Sequence, residues 1–273
     1  LDAADRLYIQ AAQQSPDNAL AQLTLARRMF ATGQPLPAVS NLSPQAAAVR
    51  RWRATADELE QTDVLDAALA YVNVLLAITP KDHALALRQA DLLLRAGQLE
   101  QAAERYARLA QASDVWGQLA GARQAQLAQQ QAEAAAKYKA ALPLANTYAL
   151  AFRVGDGLRD LGAVSEALAA YQQAARLAPG SIWPLLAAGN MLRASDPAAA
   201  RTLYERAQRI DAASGYPDFA LGTLLLEQNN ATAAWPFLQA AAAKQPEIIL
   251  FRETLAQAAG KANSSSSLAT RNP

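Results

Sequence analysis

Gly155, Gly189 and Gly222 lie 34 and 33 residues apart, and no other feature of the chain limits its fold so tightly. Ala167, Ala200 and Ala234 keep the same step, 33 then 34, as do Tyr171, Tyr204 and Leu238. Self-similarity of this length marks an array of helical hairpins, each burying its apolar face only against its neighbours. Such a core grows linearly, so 273 residues need not be divided into domains of ordinary globular size. The composition agrees: about a quarter of the residues are Ala, and Leu, Gln, Arg and Glu are abundant, which favours helix. Aromatics are 6% and spread along the chain, too thin for one central core but enough for an anchor or two per hairpin.

The clearest unit spans 148–181. Gly155 falls within the helical stretch TYALAFRVGDGLRDLG, where an isolated Gly costs about 1 kcal/mol. A second helix follows in SEALAAYQQAARLAP: Ala167 opens it, Tyr171 and Ala174 come one and two turns on, and Pro179 stops it. Small residues at Gly155 and Ala167 predict a close helix crossing, at the short end of the usual range of about 8–10 Å. Tyr171 is then expected to fill the wider gap towards the next unit. Gly162 is expected to take positive φ in the intervening turn.

This arrangement resembles the tetratricopeptide repeat (TPR), with its pattern W-x2-L-G-x2-Y, A-x3-F and a closing Pro. The matching residues are Val154, Gly155, Leu158, Gly162, Ala167, Tyr171, Ala174 and Pro179. Unit 182–214 repeats them with Gly189, Leu192, Ala200, Tyr204 and Ala207, although its turn RASDP is one residue short. Unit 215–248 has Leu221, Gly222, Leu225, Ala234, Leu238, Ala241 and Pro246. Upstream the match loosens. Unit 49–82 carries Trp52, Ala56, Leu59, Ala68, Val72 and Pro80. Unit 83–113 carries Ala90, Leu93, Gly97, Ala102 and Tyr106, and unit 114–147 carries Trp116, Leu119, Ala120, Ala134, Tyr138 and Ala141. Unit 19–48 begins with Ala26, Met29 and Gly33, but Pro37 and Pro44 squeeze its second helix. Residues 1–18 match only the second helix of a truncated repeat, which leads us to expect further repeats or another helix upstream. The segment 249–260, with Phe251 and Leu255 at helical spacing, suits a capping helix, and 261–273 is expected to be a disordered tail. The resemblance implies an all-α, right-handed TPR-like α-solenoid of about seven antiparallel hairpins.

Signs of catalysis are missing from the sequence. His83 is the lone histidine, there is no cysteine, and no HExxH, CxxC, Walker A or GxSxG pattern occurs. His83 reads as a surface or capping residue. Gly155-x-Gly157 lacks the strand and the third glycine of a dinucleotide fingerprint, so both glycines read as helix packing. Asn41, Asn230 and Asn263 open N-x-S/T triplets of the kind expected by chance. We expect no cofactor, no metal and no enzyme activity. Net charge is +1, which argues against a nucleic-acid partner, and no apolar run approaches the length of about 18 residues that inserts in a membrane. The opening LDAADRLYIQ has neither the basic nor the apolar region of a signal peptide.

In the family this chain resembles, the first helices of successive repeats line a concave groove that receives a peptide or partner helix. Carried over by position, the groove residues are Arg27 and Phe30, then Arg53, Asp57 and Glu60, then Leu87, Asp91 and Arg95. The C-terminal half adds Phe152, Asp156, Arg159, Trp183, Asn190, Arg193, Phe219 and Thr223. Arg beside acidic residues implies patchy charge, suited to a partner of both signs with Phe152 or Trp183 as apolar anchor. Some of these side chains pair internally on the bland reading, as Asp156 with Arg159, and Trp183 and Trp235 pack between units. The family's carboxylate clamp pairs Lys with Asn on successive repeats; Asn190 matches one position, but Leu186 replaces Lys. The resemblance implies a non-catalytic interaction scaffold. Abundant Ala, with Arg preferred to Lys, suggests a bacterial source, and the resemblance then implies an envelope, polysaccharide or secretion assembly, periplasmic or membrane-associated, with the cytoplasm as an alternative. A second reading makes the array the docking portion of a larger enzyme, such as a glycosyltransferase or polysaccharide synthase. A third has copies of the chain assemble through their terminal helices.

Overall fold

The computed structural model describes residues 46–269, with side chains for residues 49–260. The opening helix within 1–18, Arg27 and Phe30, and all of the expected unit 19–48 except residues 46–48, which belong to the first described helix, lie outside the described residues. Thirteen α-helices follow one another: α1 (Ala46–Gln61), α2 (Leu65–Ile78), α3 (His83–Arg95), α4 (Leu99–Leu109), α5 (Val115–Leu127), α6 (Gln131–Ala141), α7 (Tyr148–Asp160), α8 (Val164–Leu177), α9 (Trp183–Leu192), α10 (Pro197–Ile210), α11 (Tyr216–Glu227), α12 (Ala231–Lys244) and α13 (Ile249–Ala269). A 3-10 turn, Leu142–Leu144, follows α6, and no strand occurs among the described residues.

The chain divides into two compact units, Leu1–Lys137 and Tyr138–Pro273, with the division inside α6. In the first, α1 packs on α2 and α3 on α4, and α3 also touches α5. In the second, α7 packs on α8, α9 on α10 and α11 on α12. There α9 touches α11, α11 touches α13, and α12 packs on α13. Each hairpin thus covers its apolar stripe with its own partner helix and the next hairpin along. The core is accordingly strung out in patches. One holds Ile182, Leu185, Tyr204, Ala207, Leu221 and Leu224; the next holds Leu225, Ala234, Leu238 and Ala258.

The turns inside the hairpins share a left-handed residue: Asp63 (φ 58°), Gly97 (76°), Gln129 (59°), Gly162 (71°) and Asn229 (57°). Gly162 behaves as its position predicts. The shortened turn RASDP has no such residue and ends instead on Asp196, whose side chain accepts the Ala199 N–H at 3.0 Å. Asp82, Asp114, Thr147 and Asn230 cap α3, α5, α7 and α12 in the same way.

At the C-terminal end the structure departs from expectation. The helix expected over 249–260 continues to Ala269. No proline interrupts the stretch before Pro273, and a Cβ at Gly260 would meet nothing within 4 Å, so neither backbone nor packing forces a stop at 260.

Candidate functional site

In three hairpins of the second unit the largest side chain of the second helix is committed to packing against a glycine of the first. A Cβ built on Gly155 would lie 2.7 Å from the Tyr171 ring, one on Gly189 would lie 2.3 Å from Tyr204, and one on Gly222 would lie 2.6 Å from Leu238. The glycines are therefore notches that receive the large side chain of their own hairpin. This corrects the expectation that Tyr171 fills a gap towards the next unit and that the close approach is to Ala167. Gly157 is a notch as well, but for Tyr138 on α6, whose ring carbon would lie 2.2 Å from an added Cβ. Both glycines of the Gly155-x-Gly157 sequence serve helix packing, as read from the sequence.

A second regularity follows from the notch. The residue after it points a polar group at the ring's hydroxyl. Tyr106 donates to Asp91 at 2.6 Å, Tyr171 to Asp156 at 2.8 Å and Tyr204 to Asn190 at 2.7 Å. Burial pushes Tyr171 above its ordinary value, and the hydrogen bond to Asp156 and the Asp156 charge raise it further. Burial likewise pushes Tyr204 up to about 12, helped by the Glu227 charge and opposed by Arg193. In the hairpin of Gly222 the ring is replaced by Leu238, and Thr223 returns its hydroxyl to the backbone carbonyls of Phe219 and Ala220.

The groove residues proposed from the sequence thus divide. Asp91, Asp156 and Asn190 each hold a tyrosine. In the first unit α1 and α3 are laced together: Arg53 reaches Asp82 at 2.8 Å, Arg88 reaches Asp57 at 2.6 Å and Glu60 at 2.8 Å, and Arg95 reaches Glu60 at 3.0 Å and Asp63 at 2.9 Å. Leu87 is fully buried and cannot meet a partner, because it points into the helix packing that holds α3. In the second unit Arg159 bonds Asp156 at 2.7 Å and Asp160 at 2.9 Å, and Arg193 meets Glu227 at 3.1 Å. Burial tends to lower the Arg159 value, but the Asp160 hydrogen bond and neighbouring negative groups outweigh it and raise it.

Aromatic rings run beside these charges. Phe152 lies between Tyr148 and Tyr171, with ring centroids at 5.6 and 5.4 Å. Trp183 meets Tyr216 edge-on at 4.9 Å, Tyr216 meets Phe251 at 5.3 Å, and Phe251 stacks on Phe219 at 4.7 Å. Phe251 is buried and anchors the row, whereas Trp183 is 47% exposed. Phe152, Arg193 and Phe219 are partly exposed, and Arg159 and Trp183 exposed, on α7, α9 and α11.

No family model matches the chain, and no curated protein matches it. Solved structures do. The C-terminal part of a TPR repeat-containing protein from Cytophaga hutchinsonii covers 91% of this chain and 98% of its own, at 13% identity and a TM-score of 0.50. The chain has the tetratricopeptide-repeat fold. Yeast Tom70 is similar over 98% of this chain and 59% of its own, with 15% identity and a TM-score of 0.56. A chain of the APC/C hetero-tetramer Cut9-Hcn1 is similar over 93% and 52%, with 15% identity and a TM-score of 0.53.

Several features of this TPR array are invisible in the repeat pattern. Asp218, 2% exposed in α11, is held by the Lys244 ammonium on α12 and by Gln208 on α10 at 2.6 Å. Gln245 accepts the Gly215 N–H at 2.9 Å and so ties α12 to the start of α11. His83 opens α3 and lies 2.5 Å from Asp114, the cap of α5. Burial raises the Asp114 carboxyl, but the Gly117 N–H and His83 more than offset it and hold it below the usual range. Asp218 and Lys244, Gly215 and Gln245, and His83 and Asp114 are 26 to 31 residues apart, about one repeat, so only the repeat register could have paired them. Among the described residues no three of His, Asp and Glu converge as metal ligands, and no helix is long and apolar enough to cross a membrane.

Proposed function

We propose that this chain is a non-catalytic scaffold that holds a peptide or partner protein against the first helices of its repeats. One observation carries the reading. The largest second-helix side chains, Tyr171, Tyr204 and Leu238, are spent in the notches, whereas α7, α9 and α11 keep partly exposed Phe152, Trp183 and Phe219 as well as Arg159 and Arg193. Aromatic side chains and Arg are the residue types that dominate binding energy at interfaces. Both Arg heads are already paired to carboxylates, so the partner suited to this face carries charges of both signs and exchanges pairs on docking.

A bacterial source is read from the Ala-rich composition and from Arg supplying 20 of the 25 basic residues, and the finer setting, an envelope, polysaccharide or secretion assembly, rests on analogy with other arrays of this kind. The full chain is immobilised and partners are recovered from the native organism, in parallel with an Arg159→Glu plus Arg193→Glu variant of unchanged helical circular dichroism. Partners lost from the variant support the reading. The same proteins recovered with both forms overturn it.

A further inference from the structure

An open pocket of about 430 Å³ lies where successive hairpins of the second unit are joined. It is lined by Ser181, Trp183, Asp211, Ser214, Tyr216 and Gln245, together with loop backbone around Gly180 and Ala213. Its volume is within the range of about 300–1,000 Å³ usual for small-molecule sites.

The electrostatics of this pocket limit the ligand. Asp211 is the sole charged side chain in the lining, and among the described residues no Lys or Arg pairs with it. Trp183 opens α9 and Tyr216 opens α11, and neither helix has a side-chain cap. Each helix start carries the equivalent of roughly half a positive charge, so the two together offset one carboxylate. A ligand of either sign gains little from such a balance. Lys and Arg, which an anionic ligand would recruit, are absent from the lining; the neighbouring Lys244 ammonium reaches the Ser214 carbonyl at 3.5 Å but is paired with Asp218.

Unspent hydrogen-bonding groups remain. Asp211 Oδ1 accepts the Ala213 and Ser214 N–H groups, both at 3.1 Å, which leaves Oδ2 free. Gln245 uses Oε1 on Gly215, which leaves its amide N–H groups free. The hydroxyls of Ser181 and Ser214 and the indole N–H of Trp183 have donor capacity with no acceptor among the described residues. Beside them the edge-on contact of Trp183 with Tyr216 leaves the indole 47% exposed. A flat apolar surface, ringed by mixed donors and acceptors and without net charge, fits a ring with a C–H face and a hydroxylated rim.

We propose that this pocket is a subsite for a neutral saccharide, a pyranose resting on Trp183 with its hydroxyls bonded by Asp211, Gln245 and the two serines. The site does not depend on the protein-binding reading, although Trp183 borders both.

The test screens the full chain against an array of neutral and charged glycans, then titrates the best neutral binder by tryptophan fluorescence. The expected result is binding of neutral glycans that holds as salt rises, because the ligand carries no charge to be screened. Trp183→Ala lowers affinity at least about tenfold, and Gln245→Ala weakens it, both with unchanged circular dichroism. Arg159→Glu plus Arg193→Glu leaves glycan affinity unchanged, which separates this site from the protein-binding face. The proposal is overturned if no neutral glycan binds, if only charged glycans bind, if Trp183→Ala binds as tightly as the parent, or if a cationic peptide displaces the glycan at lower concentration than the glycan's own affinity.

Discussion

Single side chains decide whether a hairpin of this array closes. At Gly189 an added methyl would lie 2.3 Å from the Tyr204 ring, closer than van der Waals contact allows, and the ring is fully buried with nowhere to turn. Gly189→Ala should therefore destabilise the protein by about 1–3 kcal/mol despite the better helix propensity of Ala, read as a lower urea midpoint. Gln129 sits at φ 59° where the equivalent turns use Gly97 and Gly162. Gln129→Gly should raise stability by about 0.5–1 kcal/mol, because the strain of a left-handed non-glycine residue outweighs the entropy that glycine adds to the unfolded chain. A Gln129→Gly variant that melts lower than the parent would contradict this. The notch tyrosines add a pH dependence. Tyr204 ionises at about 12 when folded against 10.0 unfolded, and Tyr171 is raised in the same direction. The raised phenol retains its proton in the fold, so this stability is complete below pH 10.0 and drains away as pH climbs towards 12. Urea midpoints should fall over that window, and Tyr171→Phe with Tyr204→Phe should flatten the fall, at a neutral-pH cost of about 0.5–1.5 kcal/mol per hydroxyl.

Between elements, one buried charge stands out. Asp218 is 2% exposed and meets Lys244, with Gln208 as its second partner. Lys244→Met removes the counter-charge and leaves the carboxylate buried, so it should cost about 3–5 kcal/mol. Adding Asp218→Asn should recover most of that loss, because an uncharged amide can share hydrogen bonds with Gln208. Thermal denaturation of the two single variants and the double variant gives the cycle, and additive losses would show that the pair is not coupled. The lacing of α1 to α3 is a different case. Arg53 and Arg95 are about two-fifths exposed, so solvent screens each pair and its removal should cost well under 1 kcal/mol.

At the scale of the molecule, the helix order and notch positions were legible in the sequence because a 33–34-residue step repeats three times with small and large residues in fixed register. Which notch receives which ring was not, since Gly155 and Gly157 look alike in sequence yet take Tyr171 from the same hairpin and Tyr138 from the one before. The partner-binding face was legible only by position. The pairs that engage Arg53, Asp57, Arg95 and Arg193 join residues about one repeat apart, and periodicity places such positions side by side without saying whether their side chains bond. Because each hairpin leans only on its neighbours, Gly189→Ala should raise amide exchange most in α9–α12 and least in α7. Uniform acceleration across the second unit would speak against that. The notches have a mechanical consequence as well. Sliding the two helices of a hairpin past each other by one turn, about 5.4 Å, would drive a tyrosine out of its glycine and into a neighbouring side chain. Each hairpin is thereby keyed into a stiff plate, and under load the give of the second unit must come from the seams between plates.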